Sequence, residues 1–344
     1  MGKQSKKWKC VRVCAFVVVF IICFVYVSRV LRFKNVYAAV MSTFMSLPEN
    51  SLDVVAVGSS HLYCALIPAE LYTQFGWRSY VLATREQPPA VSYHYLEMAL
   101  ERHRPKIVIL EAFMFFRDDC HVKVAEGVAH DSLDVMPFGL HKLKAIFSFD
   151  HEGEQEDYVV PLVKYHSRWK ELDIGDFTIS SLSRHDPLRG FRMFAKSGSD
   201  EIVSVDMSAY EQLPVDEEYT GWLDRINGLV HGSGARLILV TAPSPAFEGY
   251  CGQAKFLTRY AQERNIDVLD LNVDLTVSGF KAADFYDRGH LNLFGAEKAT
   301  KLIGKYIASR YPFESPELSE EQRVEWAKDV AEYHKMRETM ISGN

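Results

Sequence analysis

Asp287 and His290 stand three residues apart in Asp284-Phe-Tyr-Asp-Arg-Gly-His-Leu-Asn292, on a turn that contains Gly289. A carboxylate just upstream of an imidazole on a short loop can accept the Nδ1–H and fix the tautomer. Nε2 is then free to act as a base toward a nucleophile from elsewhere in the chain. The candidate nucleophile is Ser60, in Val57-Gly58-Ser59-Ser60-His61, where an apolar run ends in a tight turn. Taken singly, Ser60 is a strand-end turn residue, Asp287 a turn former and His290 a loop residue. Taken together, in the order Ser, Asp, His, they suit acyl-ester chemistry through a covalent serine intermediate. His61 reads as a neighbour that shapes the turn. Glu111 is either a general base or the partner of Arg85, and we favour the pair.

Five short apolar runs must carry these residues: 53–57, 78–83, 106–110, 236–241 and 266–271. Each has the length and composition of a buried strand. Helical patterns alternate with them. Pro68 opens one at 69–75, and Pro88-Pro89 launches another that ends at Arg104-Pro105. A third covers 216–231, closed by Gly232 and Gly234, and a fourth covers 253–264. Asn292 is an N-cap for a fifth, with Leu293, Ala296, Ala299, Leu302, Ile303 and Ile307 as its buried stripe. This alternation predicts an α/β fold with a doubly wound, mostly parallel five-stranded sheet. In such sheets functional groups gather beyond the carboxyl ends of the strands. Ser60 follows the first strand, Arg85 and Gln87 the second, Glu111 ends the third, and His290 follows the fifth.

The first 34 residues hold eight Lys or Arg and no acid, so the remaining 310 carry a net −14 against −6 for the whole chain. A body this acidic disfavours a nucleic-acid partner. Val13 to Ser28 is a charge-free apolar run flanked by Arg12 and Arg29. It is slightly shorter than a full span, and snorkelling arginines can make up the difference. The run predicts a single-pass membrane anchor with its basic N-terminus in the cytoplasm and the main domain outside. A cleaved signal peptide ending near Val36-Tyr37-Ala38 is the competing reading, disfavoured by the charges that separate it from the apolar run. Cys64, Cys120 and Cys251 lie outside the anchor without a pattern, so buried thiols are expected rather than a disulfide framework or a metal site.

Residues 35–50 read as a membrane-proximal linker and 51–312 as the main domain, interrupted by an insertion at 118–214. The insertion carries an acidic stretch, 150–157, read as a solvated loop. It also holds Tyr165-His166-Ser167-Arg168-Trp169, where His166 and Arg168 suit an anionic or sugar substrate as well as they suit packing. Residues 313–344 contain Ser319-Glu-Glu-Gln322, a capping-box pattern that opens a helix to about Met340 with Val324, Ala327, Val330 and Ala331 on its apolar face.

The Gly-Ser-Ser turn after the first strand and Asp-x-x-His-x-Asn before the last main-domain helix resemble the SGNH (GDSL-type) hydrolase family. The likeness covers roughly 53–116 and 216–308. It implies a flavodoxin-like fold with Ser60 as nucleophile, His290 as base and Asp287 as its orienting acid, and no metal or organic cofactor. Within the family the chain looks closest to the membrane-anchored branch that includes the teichoic acid D-alanyl transfer protein and the alginate O-acetylation proteins. That branch implies transfer or cleavage of O-acyl esters on cell-surface glycans or polymers, beside a membrane-bound O-acyltransferase. The chain departs from the family pattern at two blocks. Ala83-Thr84-Arg85-Glu86-Gln87 lacks the oxyanion-hole Gly, and Glu111-Ala-Phe-Met lacks the Asn. Backbone N–H groups such as those around Gly58, or the side chains of Arg85 or Gln87, are then the expected oxyanion donors. An accessory protein that positions polymer or acyl carrier for a membrane-bound acyltransferase is the alternative.

Overall fold

The computed structural model describes residues 2–31, 35–117, 122–177, 185–195, 206–245, 247–273 and 279–343. The first helix, α1 (Gly2–Leu31), contains Lys7–Leu31, a stretch long and apolar enough to cross a membrane. No described residue covers its middle. Only its last turn, at Val30 and Leu31, is buried.

The segment expected as a linker is largely helix α2 (Val36–Ser46). Asn35 caps it by accepting the Ala38 N–H at 3.0 Å, and Val40, Met41 and Phe44 sit in the core. The Val40 carbonyl accepts the buried Tyr80 hydroxyl at 2.7 Å, which ties α2 to the sheet.

The sheet consists of β1 (Val54–Gly58), β2 (Ser79–Ala83), β3 (Ile107–Glu111), β4 (Arg236–Thr241) and β5 (Asp267–Asp270). All pair in parallel, in the order β2-β1-β3-β4-β5. Val54 lies opposite both Ser79 and Ile107, so three strands end level with one another at the carboxyl rim. This is the flavodoxin-like strand order, with its switch point between β1 and β3. A buried pair locks the amino ends: Arg78 donates through Nε and Nη2 to Asp53 at 2.7 and 2.6 Å.

Strand residues alternate between two cores, as the two-residue period requires. Val55, Val57, Val108, Leu110, Leu237 and Leu239 face one layer, formed by α2, α5 (Pro89–Arg102) and two helices beyond the insertion. Val54, Ala56, Ile107, Ile109, Ile238 and Val240 face the other, which holds the short helices α3 (Ser60–Tyr63) and α4 (Pro68–Phe75) and the helix after His290. The sheet is thus covered on both faces, as near-continuous apolar strands demand.

The insertion contributes α6 (Glu126–Leu133), α7 (Leu140–Ile146), α8 (Gln155–Val159) and α9 (Pro161–Tyr165), with short 3-10 turns after them. The 150–157 stretch is only partly a loop, since Gln155 opens α8 and His151 is buried. The α/β rhythm then resumes with α10 (Glu217–Ser233), capped by Asp216, α11 (Cys251–Gln262) and α12 (Leu293–Arg310). The expected stripe of α12 is buried except for Leu302, which is half-buried.

Helix α13 (Glu320–Ser342) opens with the Ser319/Gln322 capping box, but it buries a different face from the expected one. Trp326, Asp329 and Tyr333 face the body, while Val324 is exposed. The cause is the buried Arg189, whose guanidinium lies 3.7 Å over the Trp326 ring and 2.7 Å from Asp329. A charge pair and a cation–π contact outweigh a modest aliphatic stripe. Cys64 and Cys251 are buried free thiols; Cys120 lies outside the described residues.

Candidate active site

Ser60 is the first residue of α3, directly after the β1 turn. Gly58 has φ +155°, and a Cβ there would meet Glu111 Cβ at 2.5 Å. Only glycine lets β1 end this close to the end of β3. Ser59 then bonds across the gap: its hydroxyl donates to Glu111 Oε2 at 2.7 Å and its N–H reaches the same oxygen at 3.3 Å. Glu111 Oε1 accepts the Phe113 N–H at 2.6 Å. Burial pushes the Glu111 carboxyl up to about 7, against the lowering effect of these bonds. The expected Glu111–Arg85 pair is replaced by this one-carboxylate clasp on two strand-end loops.

The loop after β5 brings His290 to Ser60. Its Nε2 lies 2.8 Å from Ser60 Oγ, across 230 residues of sequence. Its Nδ1 lies 2.9 Å from both oxygens of Asp287. Asp287 Oδ1 also accepts the N–H groups of Gly289 and His290, at 2.7 and 2.8 Å. Burial by itself would raise the Asp287 carboxyl, but the bonds from Gly289 and His290 together hold it below the usual range. A carboxylate so held stays ionised where an imidazole titrates.

Asn292 fixes this loop to α12. Its Oδ1 accepts from the N–H groups of Phe294 and Gly295, and its Nδ2 donates back to the carbonyls of Ala283 and Phe285. From the β4 side, Ser244 donates through Oγ to the Arg288 carbonyl at 3.2 Å, and Asn272 Oδ1 accepts the Ser244 N–H at 2.8 Å. Neither Ser244 nor Asn272 stands out in the sequence, since each lies just past an apolar run with no motif around it.

His61 packs inside the site. Its ring stacks on Phe113 with centroids 3.8 Å apart and lies 5.1 Å from the His290 ring. Burial, and then the nearby His290, lower it to about 3, so it remains neutral at physiological pH.

Other residues expected at the site are occupied elsewhere. Gln87 is buried, with Nε2 donating to Ser92 Oγ at 2.9 Å and Oε1 accepting from Thr84 at 3.2 Å. Its amide closes the β2–α5 turn and has no capacity left for an oxyanion. Arg85 pairs with Asp131 of α6 at 3.1 Å. Its N–H donates to the Tyr37 hydroxyl at 3.2 Å, and the Tyr37 ring lies 6.2 Å from that of Tyr63, the last residue of α3. His166 is exposed and its Nδ1 lies 2.7 Å from the Val163 carbonyl. Arg168 donates to the carbonyls of Val30 and Leu31 at 3.1 and 3.2 Å and to Asp176 at 2.8 Å. It therefore caps the end of α1, as basic side chains do at helix C-termini, which is the packing role that the sequence left open beside substrate binding.

A cavity of about 260 Å³ lies between the β2 and β3 loops, α6 and α10, lined among others by Pro88, Met114, Arg117, Val124 and Trp222. Its lining includes neither Ser60 nor His290. Among the described residues no group of three His, Cys, Asp or Glu is arranged to hold a metal ion.

No family model matches the chain, and no curated protein matches it. Among solved structures it is similar to LAE5, an alpha/beta hydrolase enzyme from the metagenome of Lake Arreo, Spain, with 13% identity over 79% of this chain and 100% of that chain and a TM-score of 0.36.

Proposed function

We propose that the protein is a membrane-anchored, SGNH-like acyltransferase or esterase acting on O-acyl esters of cell-surface glycans or polymers. The observation that carries this reading is the continuous line from Ser60 Oγ through the His290 ring to Asp287, at 2.8 and 2.9 Å. Ser60 Oγ attacks the acyl carbonyl while His290 Nε2 takes its proton. Asp287 holds Nδ1–H and stabilises the imidazolium that forms. The leaving alcohol recovers the proton from Nε2, leaving an acyl-Ser60 ester. A glycan hydroxyl or water, deprotonated in turn by His290, then releases Ser60. Ser60 N–H, at the first position of α3, has no intrahelical acceptor and is suited to receive the oxyanion.

One observation favours a second reading, a weakly active accessory protein that positions polymer or acyl carrier for a membrane-bound O-acyltransferase. Both side chains expected to replace the missing oxyanion donors, Arg85 and Gln87, are engaged elsewhere. Donors of this kind commonly contribute about 3–4 kcal/mol each.

Acetyl-ester turnover, measured with and without an added polyol acceptor, separates the two. Ser60→Ala and His290→Ala should each abolish it, and the double variant should be no worse, because the pair acts as a unit. A fluorophosphonate should label the native chain and fail on His290→Ala. Undiminished turnover in Ser60→Ala would refute the enzymatic reading.

A further inference from the structure

The insertion surrounds the end of α1. Helix α9, the 3-10 turn His166–Lys170 and the 3-10 turn Ile174–Phe177 all touch it, and Arg168 bonds its last carbonyls. Each of these three elements also turns a large apolar side chain outward: Val163 is 50% exposed, Trp169 64%, Ile174 88% and Phe177 51%. Within the same elements a charged group is buried instead, since Asp176 lies against Arg168 and accepts the Asp173 N–H at 3.0 Å. A soluble surface normally shows the reverse arrangement.

We propose that residues 163–177 form a second membrane contact, seated in the interfacial layer of the bilayer that α1 enters. The inference rests on the reading of α1 as a membrane anchor. Three arguments favour lipid over another occupant. The exposed side chains belong to elements in contact with α1, and Arg168 of one of them bonds Val30 and Leu31, just beyond the charge-free run that ends at Ser28, so the apolar surface of α1 continues into them. Trp169 is the residue type that prefers the headgroup level, with an apolar ring and a polar N–H. Lys170 lies beside that ring, its Nζ 5.8 Å from the centroid, where an ammonium can reach lipid phosphate while its stem stays in the apolar layer. Arg168 then has a structural purpose. By joining α1 to the insertion it holds the two membrane contacts in one rigid arrangement.

The test is photocrosslinking of the full chain reconstituted in vesicles of phosphatidylethanolamine and phosphatidylglycerol with no other protein. p-Benzoylphenylalanine is incorporated separately at Ile174, Trp169, Phe20 in α1, and Val324, which is 59% exposed on α13. We expect lipid adducts at Ile174 and Trp169 at least about tenfold above Val324, as for an interfacial segment, with strong adducts at Phe20. Adducts at Phe20 with background levels at Ile174 and Trp169 overturn the docking while leaving the anchor. Background levels at all positions overturn both. Adducts from Ile174 to a second copy of the chain in place of lipid assign the surface to self-association and overturn the proposal.

Discussion

The Ser59 hydroxyl donates to Glu111 Oε2 at 2.7 Å, so the residue before the candidate nucleophile is held by a buried carboxyl at the end of the neighbouring strand. The turn that presents Ser60 therefore depends on a group whose charge changes near neutral pH.

The sign of that dependence follows from the raised carboxyl. Unfolded, Glu111 titrates near 4.5; folded, near 7. Its most favourable contribution to folding is present below pH 4.5 and is lost as pH rises through 7. The loss amounts to roughly 3 kcal/mol by linkage. Denaturant titrations at pH 5 and pH 8 should show the native chain losing more stability over this interval than Glu111→Gln. Equal losses in the two proteins would remove Glu111 as the titrating group.

Asp287→Asn keeps the shape of the loop but removes the charge and favours the wrong imidazole tautomer. Turnover should fall on the order of 10⁴, the effect known for a serine-protease triad. Melting temperature should stay close to that of the native chain, because Asn Oδ1 can still accept from the N–H groups of Gly289 and His290. A rate within a few fold of native would mean that Asp287 only shapes the turn.

Asn292→Ala breaks two functions at once. Loss of the α12 cap costs about 1 kcal/mol, and the Ala283 and Phe285 carbonyls lose the amide that ties the histidine loop down. Both melting temperature and kcat should drop, with serine labelling by fluorophosphonate slowed but not abolished. Asn292→Asp, which keeps the cap oxygen, should recover most of the stability and little of the rate.

Arg168→Ala removes the donor to the Val30 and Leu31 carbonyls and one ion pair of Asp176. We expect destabilisation of about 1–3 kcal/mol, read as a lower melting temperature, with KM for a small acetyl ester unchanged. A raised KM at unchanged melting temperature would return Arg168 to substrate binding.

The five strands were legible because fully buried parallel strands are short apolar runs with punctuated ends, and the order of their loops places Ser60 and His290 on one rim. The Asp287–His290 spacing is local, so one turn carries it. Helix α2 was missed although Asn35 is a good cap. Its small and polar Ala38, Ala39, Ser42 and Thr43, lying just past the long apolar run and ahead of Pro48, resemble a linker until Tyr80 and the core are in place. Chemical capacity alone suggests Gln87 as an oxyanion donor and leaves Arg168 open between substrate and packing, and in both that capacity is engaged by partners a strip of sequence does not display. For Gln87 the partners are a few residues away; for Arg168 two of them lie 138 and 137 residues upstream. The buried face of α13 was misplaced for the same reason, since Arg189, 140 residues earlier, selects Asp329 and Trp326.

Three residues, 32–34, join α1 to the body. Leu31 and Asn35 are four Cα steps apart, at most about 14 Å of chain. Asn35 is then bonded to Asp131 at 3.2 Å, and Tyr37 to the backbone of Arg85 at the carboxyl rim of the sheet. A flexible tether would let the domain sample a hemisphere above its anchor. Under the proposed membrane-anchored reading, the rim that carries Ser60 is tied close to the end of α1, so its height above the bilayer is a matter of bond geometry rather than polymer statistics. Lengthening the junction would therefore change which molecules the serine can reach, with no change to the serine itself.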